Sequence, residues 1–192
     1  MTNVEVNCKH MSGDRYPIVN QNGIYFLTMT IVDWIDLFTR KEYSMIIVDS
    51  FNYCIESKNL EVFSWVIMSS HVHLICKVNE PGTLSDFLRD FKKYTSKQLI
   101  QAIEEVGESR RKWLLDKFGF EAKRTGRAKY YKVWKDDNHA IEIGDYITIE
   151  GKIEYIHNNP VSAMIVAQPE DYIFSSAIDY ADGTGLVKVT VC

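Results

Sequence analysis

Residues 60–78 read LEVFSWVIMSSHVHLICKV. Leu60–Met68 and His71–Val78 are two runs rich in β-branched and aromatic residues, joined by Ser69-Ser70, the pattern of an antiparallel hairpin. The second run opens with His71-Val72-His73. Side chains alternate between the faces of a strand, so positions i and i+2 point the same way, and the two imidazoles project from one face about 7 Å apart. That is near enough for one metal ion to take both. Val72, Leu74 and Ile75 are assigned to the opposite, apolar face. Taken alone, the same His-x-His pattern also describes two half-exposed histidines with no ligand.

Upstream of the hairpin, Gly23–Trp34 (GIYFLTMTIVDW) reads as a strand, and Lys41–Ser57, free of Gly and Pro, as a helix. Downstream, Pro81-Gly82 interrupts the chain. Thr83 or Ser85 then caps a helix to about Glu105, with Leu84, Leu88, Phe91, Leu99 and Ile103 as its apolar stripe. Arg110–Phe118 reads as a short helix, Gly119–Lys129 as a basic loop and Tyr130–Trp134 as a short strand. Thr148 caps a helix over Ile149–Asn158, ended by Pro160 because the residue before a proline is pushed out of the α region. The tail after Pro169 is loop-rich. This order predicts an α+β fold with a mainly antiparallel sheet. The length of 192 residues suits one domain spanning 1–192, its core at about 23–180.

The composition, 46% hydrophobic and 25% charged, is that of an ordinary globular protein. No apolar run approaches the ~20 residues of a membrane span, and Met1–Tyr16 lacks the pattern of a signal peptide. Cys8, Cys54, Cys76 and Cys192 are scattered, which suits reduced thiols in the cytoplasm. The net charge of −4 argues weakly against a nucleic-acid partner, but its distribution argues for one. Arg110–Lys132 holds nine Lys and Arg against two acids, a surplus of +7 that leaves −11 on the rest of the chain. Phosphate responds to such a local field. A solvated basic face is the competing reading.

The second chemical element is residues 152–160, KIEYIHNNP. At about 100° per residue, Ile149, Ile153 and Ile156 form a core face. Lys152, Tyr155 and Asn159 fall on a neighbouring stripe, while Glu154 and His157 point elsewhere. Tyr155 and Asn159, four apart, address one point in space with Lys152 beside them. The plainer reading of Tyr155 is a tyrosine at the core boundary with a wet hydroxyl.

These segments, taken together, resemble a known family. The run from Trp65 through His71-Val-His73 to Ile75 resembles the HUH strand of the single-tyrosine transposases. Glu154-Tyr155-Ile-His-Asn-Asn159-Pro160-Val resembles their tyrosine helix, above all that of the REP-associated tyrosine transposases. Phe91–Lys97, Val133–His139 and Ser175–Tyr180 supply supporting matches, so the resemblance covers about Gly23–Tyr180. The chain departs from the family's pattern at Ser69, where Pro is usual, and at Ser162-Ala-Met-Ile165, where Arg-Ala-Gly-Leu is usual, which removes one phosphate contact.

The resemblance implies a ferredoxin-like fold with His71 and His73 on a central antiparallel strand and the tyrosine on a C-terminal helix. It implies a metal-dependent single-strand DNA endonuclease and strand transferase. His71, His73 and Asn159 correspond to the ligands of Mg²⁺ or Mn²⁺. Tyr155 corresponds to the nucleophile that forms a 5′-phosphotyrosine, and Lys152 is a cation that can assist its phenol. The partner implied is hairpin-bearing single-stranded DNA, bound by a monomer or a homodimer in a bacterial cytoplasm, at the nucleoid when DNA is bound. Lys92, Lys93, Lys97, Arg124 and Arg127, interleaved with Tyr94, Tyr130, Tyr131 and Trp134, suit a tracked backbone with stacked bases. Two other classes stand beside this reading: a non-catalytic, domesticated hairpin-binding protein, and a hydrolase whose metal activates water.

Overall fold

A computed structural model describes residues 17–144 and 147–192; the readings of Met1–Tyr16 and Cys8 lie outside them. Four strands form one antiparallel sheet: β1 (Tyr25–Thr30), β2 (Leu60–Ile67), β3 (His71–Val78) and β4 (Ile141–Glu142), in the spatial order β2-β3-β1-β4. Two of the helices, α1 (Lys41–Ser57) and α2 (Leu84–Glu105), follow β1 and β3 and cover one face of the sheet. This is the α+β, ferredoxin-like arrangement expected, with the His-x-His strand at its centre. No helix among the described residues is long and apolar enough to cross a membrane.

Strand alternation divides the sheet into two cores. Leu27, Met29, Trp65, Val72, Leu74 and Cys76 pack against Phe51 of α1 and against Phe91 and Leu99 of α2. On the other face Phe26, Phe63, Val66 and Ile75 pack against Ile153 and Ile156 of a helix near the C-terminus, α4 (Ile149–Ser162). Ile75 therefore shares the face of His71 and His73, not that of Val72 and Leu74, as a period of two requires.

The hairpin register pairs Ile67 with Val72, and Met68 N–H donates to the His71 carbonyl at 2.8 Å. The α2 N-terminus is capped by Thr83, whose hydroxyl accepts from Asp86 N–H at 3.1 Å. The stripe Leu84, Leu88, Phe91, Leu99 and Ile103 is buried, as its spacing demands.

Several boundaries differ from expectation. The first strand ends at Thr30, and Asp33 and Trp34 turn sharply at φ 54° and 55°. Helix α3 runs from Arg111 to Thr125, straight through Gly119. One helical glycine costs about 1 kcal/mol, offset here by burial of Phe118 and Ala122 around it. The actual stop is Gly126, at φ 65°, the left-handed position that favours glycine after a helix. Tyr130–Trp134 forms no strand; it is held by Lys132 N–H to the Phe118 carbonyl and by a single bridge from Trp134 to Ile31. Helix α4 continues past Pro160 to Ser162. A proline removes one hydrogen bond, and burial of its ring in the last turn keeps the helix going. The two-residue β4, which no sequence pattern announces, pairs with β1.

The tail after Pro169 covers the outer edge of β2. Ile67 N–H donates to the Phe174 carbonyl, Ser176 N–H to Trp65, and Thr190 N–H to Val62. An edge strand covered in this way is closed to pairing with another chain.

Part of the basic segment serves the fold. The Glu108 side chain is 1% exposed and accepts from Arg40 Nε (2.8 Å), Arg110 N–H (2.9 Å) and the Tyr43 hydroxyl (3.3 Å). Burial raises its pKa, but the Arg110 N–H bond and the charges of Arg110 and Arg40 outweigh that, so it lies below the ordinary 4.5. A depressed carboxylate pKa stabilises the fold fully above the ordinary value, and the contribution disappears as the pH falls through the lowered one. Glu108→Gln is expected to lose about 1–3 kcal/mol at neutral pH. Urea unfolding should show the gap between wild type and variant closing below about pH 4.5.

Candidate active site

Period-two alternation on β3 turns His71 and His73 to the α4 face, with their ring centroids 4.8 Å apart. His73 is 5% exposed. Its Nδ1 lies 2.9 Å from the hydroxyl of Thr28, its cross-strand partner on β1, and its ring stacks on Phe26 at 5.3 Å. His71 Nδ1 lies 3.3 Å from the Ser70 hydroxyl. Burial, then the nearby His71 charge, pushes the His73 pKa down to about 3, and burial lowers that of His71. Both rings are neutral at neutral pH, the state in which imidazole offers a lone pair to a metal.

Helix α4 brings the other residues to this face. Thr148 caps it through Gly151 N–H at 3.2 Å, and Ile153 and Ile156 anchor it in the second core. His157 adds an anchor that its position in the sequence did not suggest. It is buried, with Nε2 2.9 Å from the Ser176 hydroxyl and 3.2 Å from that of Ser64. Burial holds its pKa at about 4, so it stays neutral and can share hydrogen bonds with both serines. Ser176 Oγ also accepts from Trp65 N–H, which gives the Ser175-Ser176 match its physical role: it ties tail, sheet and α4 together.

Tyr155 is thereby presented half exposed, at 50%. Its ring stands edge-on to His73 at 5.4 Å and to Phe26 at 6.0 Å. Lys152 Nζ sits 4.6 Å from the Phe26 ring centroid and 5.7 Å from that of Tyr155. His71, His73, Lys152 and Tyr155 therefore form one cluster. The Asn159 amide nitrogen instead turns back toward the Tyr155 carbonyl at 3.5 Å, and Asn159 lines a shallow surface depression beside Tyr155.

The donor set can be tested against a divalent ion. Two neutral imidazoles share a face, one of them fixed by a hydroxyl on its second nitrogen, as metal-binding histidines require. Among the described residues no group of three or more His, Cys, Asp or Glu stands together, so the structure brings two protein ligands together, and Asn159 would have to turn from the Tyr155 carbonyl to add an amide oxygen. Two imidazoles and an amide oxygen fit a weakly held, exchangeable ion rather than structural zinc.

A cleft of about 890 Å³ runs between α2 and residues 127–138. Lys92, Lys93, Lys97 and Arg127 line it, joined by Arg89, Lys129, Lys132 and Lys135, with Asp136 the one acid. Arg124 does not line it: its Nε and an Nη donate to Glu121 at 2.7 Å each. Tyr130 and Tyr131 belong to the cleft, whereas Tyr94 lines a separate hollow between α1 and α2. Trp134 is mostly core, its Nε1 donating to the Thr95 hydroxyl at 3.0 Å. Sequence reasoning missed Lys135 and Trp34. Lys135 Nζ lies 4.4 Å from the Trp34 ring centroid, and that ring stands edge-on to His71 at 5.7 Å. They link the cleft to the histidine pair.

Comparison with solved structures finds the same fold. The fold is similar to that of a REP-associated tyrosine transposase whose structure was solved bound to a REP hairpin. The two share 20% identity over 93% of this chain and 90% of that one, with a TM-score of 0.58. A solved transposase-like protein from Deinococcus radiodurans R1 is similar at 14% identity over 76% of this chain and 95% of that one, with a TM-score of 0.45. No curated protein matches the sequence. Residues 35–133, about half of the chain, match the family model described as "Transposase IS200 like". The chain therefore belongs to the IS200-like transposases, enzymes that cut and move DNA.

Proposed function

We propose that this transposase cleaves and rejoins hairpin-bearing single-stranded DNA through a covalent tyrosine intermediate, with Tyr155 as nucleophile. The observation that carries this reading is the edge-on approach of an exposed tyrosine to a neutral histidine pair. The similar fold solved with a REP hairpin supports the choice of substrate.

The Tyr155 oxygen forms a bond to the scissile phosphorus as the bond from phosphorus to the 3′-oxygen breaks. The phenol proton is given up and the leaving 3′-oxygen gains one. A phenol with an ordinary pKa near 10 needs a cation to favour its anion, and Lys152 stands beside the ring. The phosphotyrosine keeps the energy of the broken bond, so a second 3′-hydroxyl can reverse the step and join strands. His71, His73 and Asn159 would hold Mg²⁺ or Mn²⁺, which when bound supplies Lewis-acid polarisation of the phosphate oxygens. Burial keeps His73 neutral, the Thr28 hydroxyl orients it, and the Phe26 ring stacks on one side of it.

The direct test is incubation with hairpin-bearing single-stranded DNA and Mg²⁺ or Mn²⁺, followed by denaturing electrophoresis. A protein–DNA adduct that survives denaturation is the expected result. Tight binding with no adduct on any hairpin substrate would point to a non-catalytic binding protein, and cleavage with no adduct to a water-using hydrolase.

The cationic cleft is the proposed path of the strand. Lys93→Glu with Lys97→Glu is expected to weaken binding and to lower the slope of log K against log salt by about 0.7 per lost contact, the single-strand value. Arg124→Glu should leave the slope nearly unchanged, because Arg124 is engaged by Glu121. Salt titrations of labelled single-stranded DNA binding separate the two.

A further inference from the structure

The turn after β1 holds a tryptophan that the fold does not need. Trp34 is 56% exposed, while Val32, Ile35 and Leu37 around it are buried. It and Asp33 are successive non-glycine residues at φ 55° and 54°, a conformation bulky side chains rarely adopt. The surroundings enforce it: Val32 N–H donates to the Val133 carbonyl, Trp34 N–H to Ile31, and Lys117 pairs with Asp33 at 3.5 Å. Backbone kept in so uncommon a state, at the edge of a chemical site, points to a function for the side chain it presents.

We propose that Trp34 is a base-stacking platform for the single-stranded DNA as it passes from the cationic cleft to the histidine pair, with Lys135 contacting the adjoining phosphate. The proposal rests on the single-stranded substrate assigned above. Trp34 stands against His71, one of the residues proposed to hold the metal ion, and Lys135 belongs both to the cleft and to the indole. An exposed indole next to a run of cations is the arrangement by which proteins hold unpaired nucleotides, stacking the base and neutralising the backbone. The Lys135 ammonium rides on a flexible stem, so it can leave the ring face for a phosphate as a base takes its place. Because any base has a π-face, the platform sets the position of the strand at the histidines and not its sequence.

The test compares two fluorescein-labelled probes of equal length, an oligothymidylate and an oligomer made wholly of abasic sites, in EDTA so that nothing is cut. The wild type should bind the base-bearing probe more tightly. Trp34→Ala should weaken oligothymidylate binding by roughly 5- to 100-fold, the range of one lost stacking contact, while changing abasic binding by no more than about twofold. Trp34→Phe, which keeps an aromatic face, should retain most of the preference and serves as the folded reference. Lys135→Ala should weaken both probes alike. A wild type that does not distinguish the probes, or a Trp34→Ala effect equal on both, overturns the platform. Adduct formation is read separately, so loss of the platform and loss of the tyrosine chemistry are told apart.

Discussion

Tyr155→Phe should abolish the covalent adduct and strand cleavage together while leaving DNA binding within about twofold of wild type, since the proposed phosphate contacts lie in the cleft. The chain has 11 tyrosines, and the argument for this one is geometric. Its ring is fixed between His73 and Phe26, with Lys152 alongside, on a helix anchored by Ile153, Ile156 and the His157–Ser176–Ser64 network. A nucleophile needs that combination of a rigid base and an open approach. No hydrogen bond to the Tyr155 hydroxyl occurs among the described residues, so its removal should change stability by less than about 1 kcal/mol. Loss of a covalent nucleophile commonly costs a factor of about 10⁴ or more in rate. Mass spectrometry of the adduct gives the decisive reading: DNA on any other tyrosine would falsify the assignment.

Replacing His73 should be nearly as severe. His73→Gln keeps a polar side chain of similar size and can still meet the Thr28 hydroxyl, whereas His73→Ala leaves that half-buried partner unmatched, at a further cost of about 1 kcal/mol in stability. Both variants are expected to cleave at least about 10³-fold more slowly, the rate equivalent of several kcal/mol of lost charge stabilisation. His71→Ala should follow them. Binding of single-stranded DNA, and its salt dependence, should persist in all three. Wild-type cleavage should stop in excess EDTA and return with Mg²⁺ or Mn²⁺. If His73→Gln cleaves at the wild-type rate, the histidine pair has no part in the chemistry and only the fold assignment stands.

How much of this could be read from the sequence differs by element. The hairpin, α1 and the start of α2 were legible because their signals are local: a β-rich run, a helix free of Gly and Pro, a threonine cap. The common face of His71 and His73 followed from alternation alone. Helix α3 was read as stopping near Gly119 and α4 before Pro160, because both residues are poor helix formers. Burial of Phe118, Ala122 and Pro160 outweighed those local costs. His157 points away from the Tyr155 stripe, as read, but its role as an anchor on Ser64 and Ser176 could not be read, because a helical wheel carries no information about a tail folding back across β2.

The cationic cleft shows the same division. Its charge was visible as a local surplus, but a count of Lys and Arg does not say which of them meet an acid. Arg110 goes to Glu108, Arg124 to Glu121 and Arg127 to Asp136, while Lys93 and Lys97 on α2 face the cleft. Glu108 and Glu121 lie only two and three residues before their arginines, so helical spacing could have shown the Glu121 pair, whereas the Arg127–Asp136 pair and the cleft itself exist only through packing.

The sequence by itself determined the chemistry on offer: two imidazoles on one strand face, a tyrosine with a lysine on one helix stripe, and the family to which they belong. These follow from the fixed periods of strand and helix, which act over a few residues. Only the tertiary structure decided that β3 and α4 set Tyr155 against His73, that burial keeps His73 neutral, and that Trp34 and Lys135 join the cleft to the site. Each of these depends on residues dozens of positions apart, brought together by burial of two apolar cores on opposite faces of one sheet.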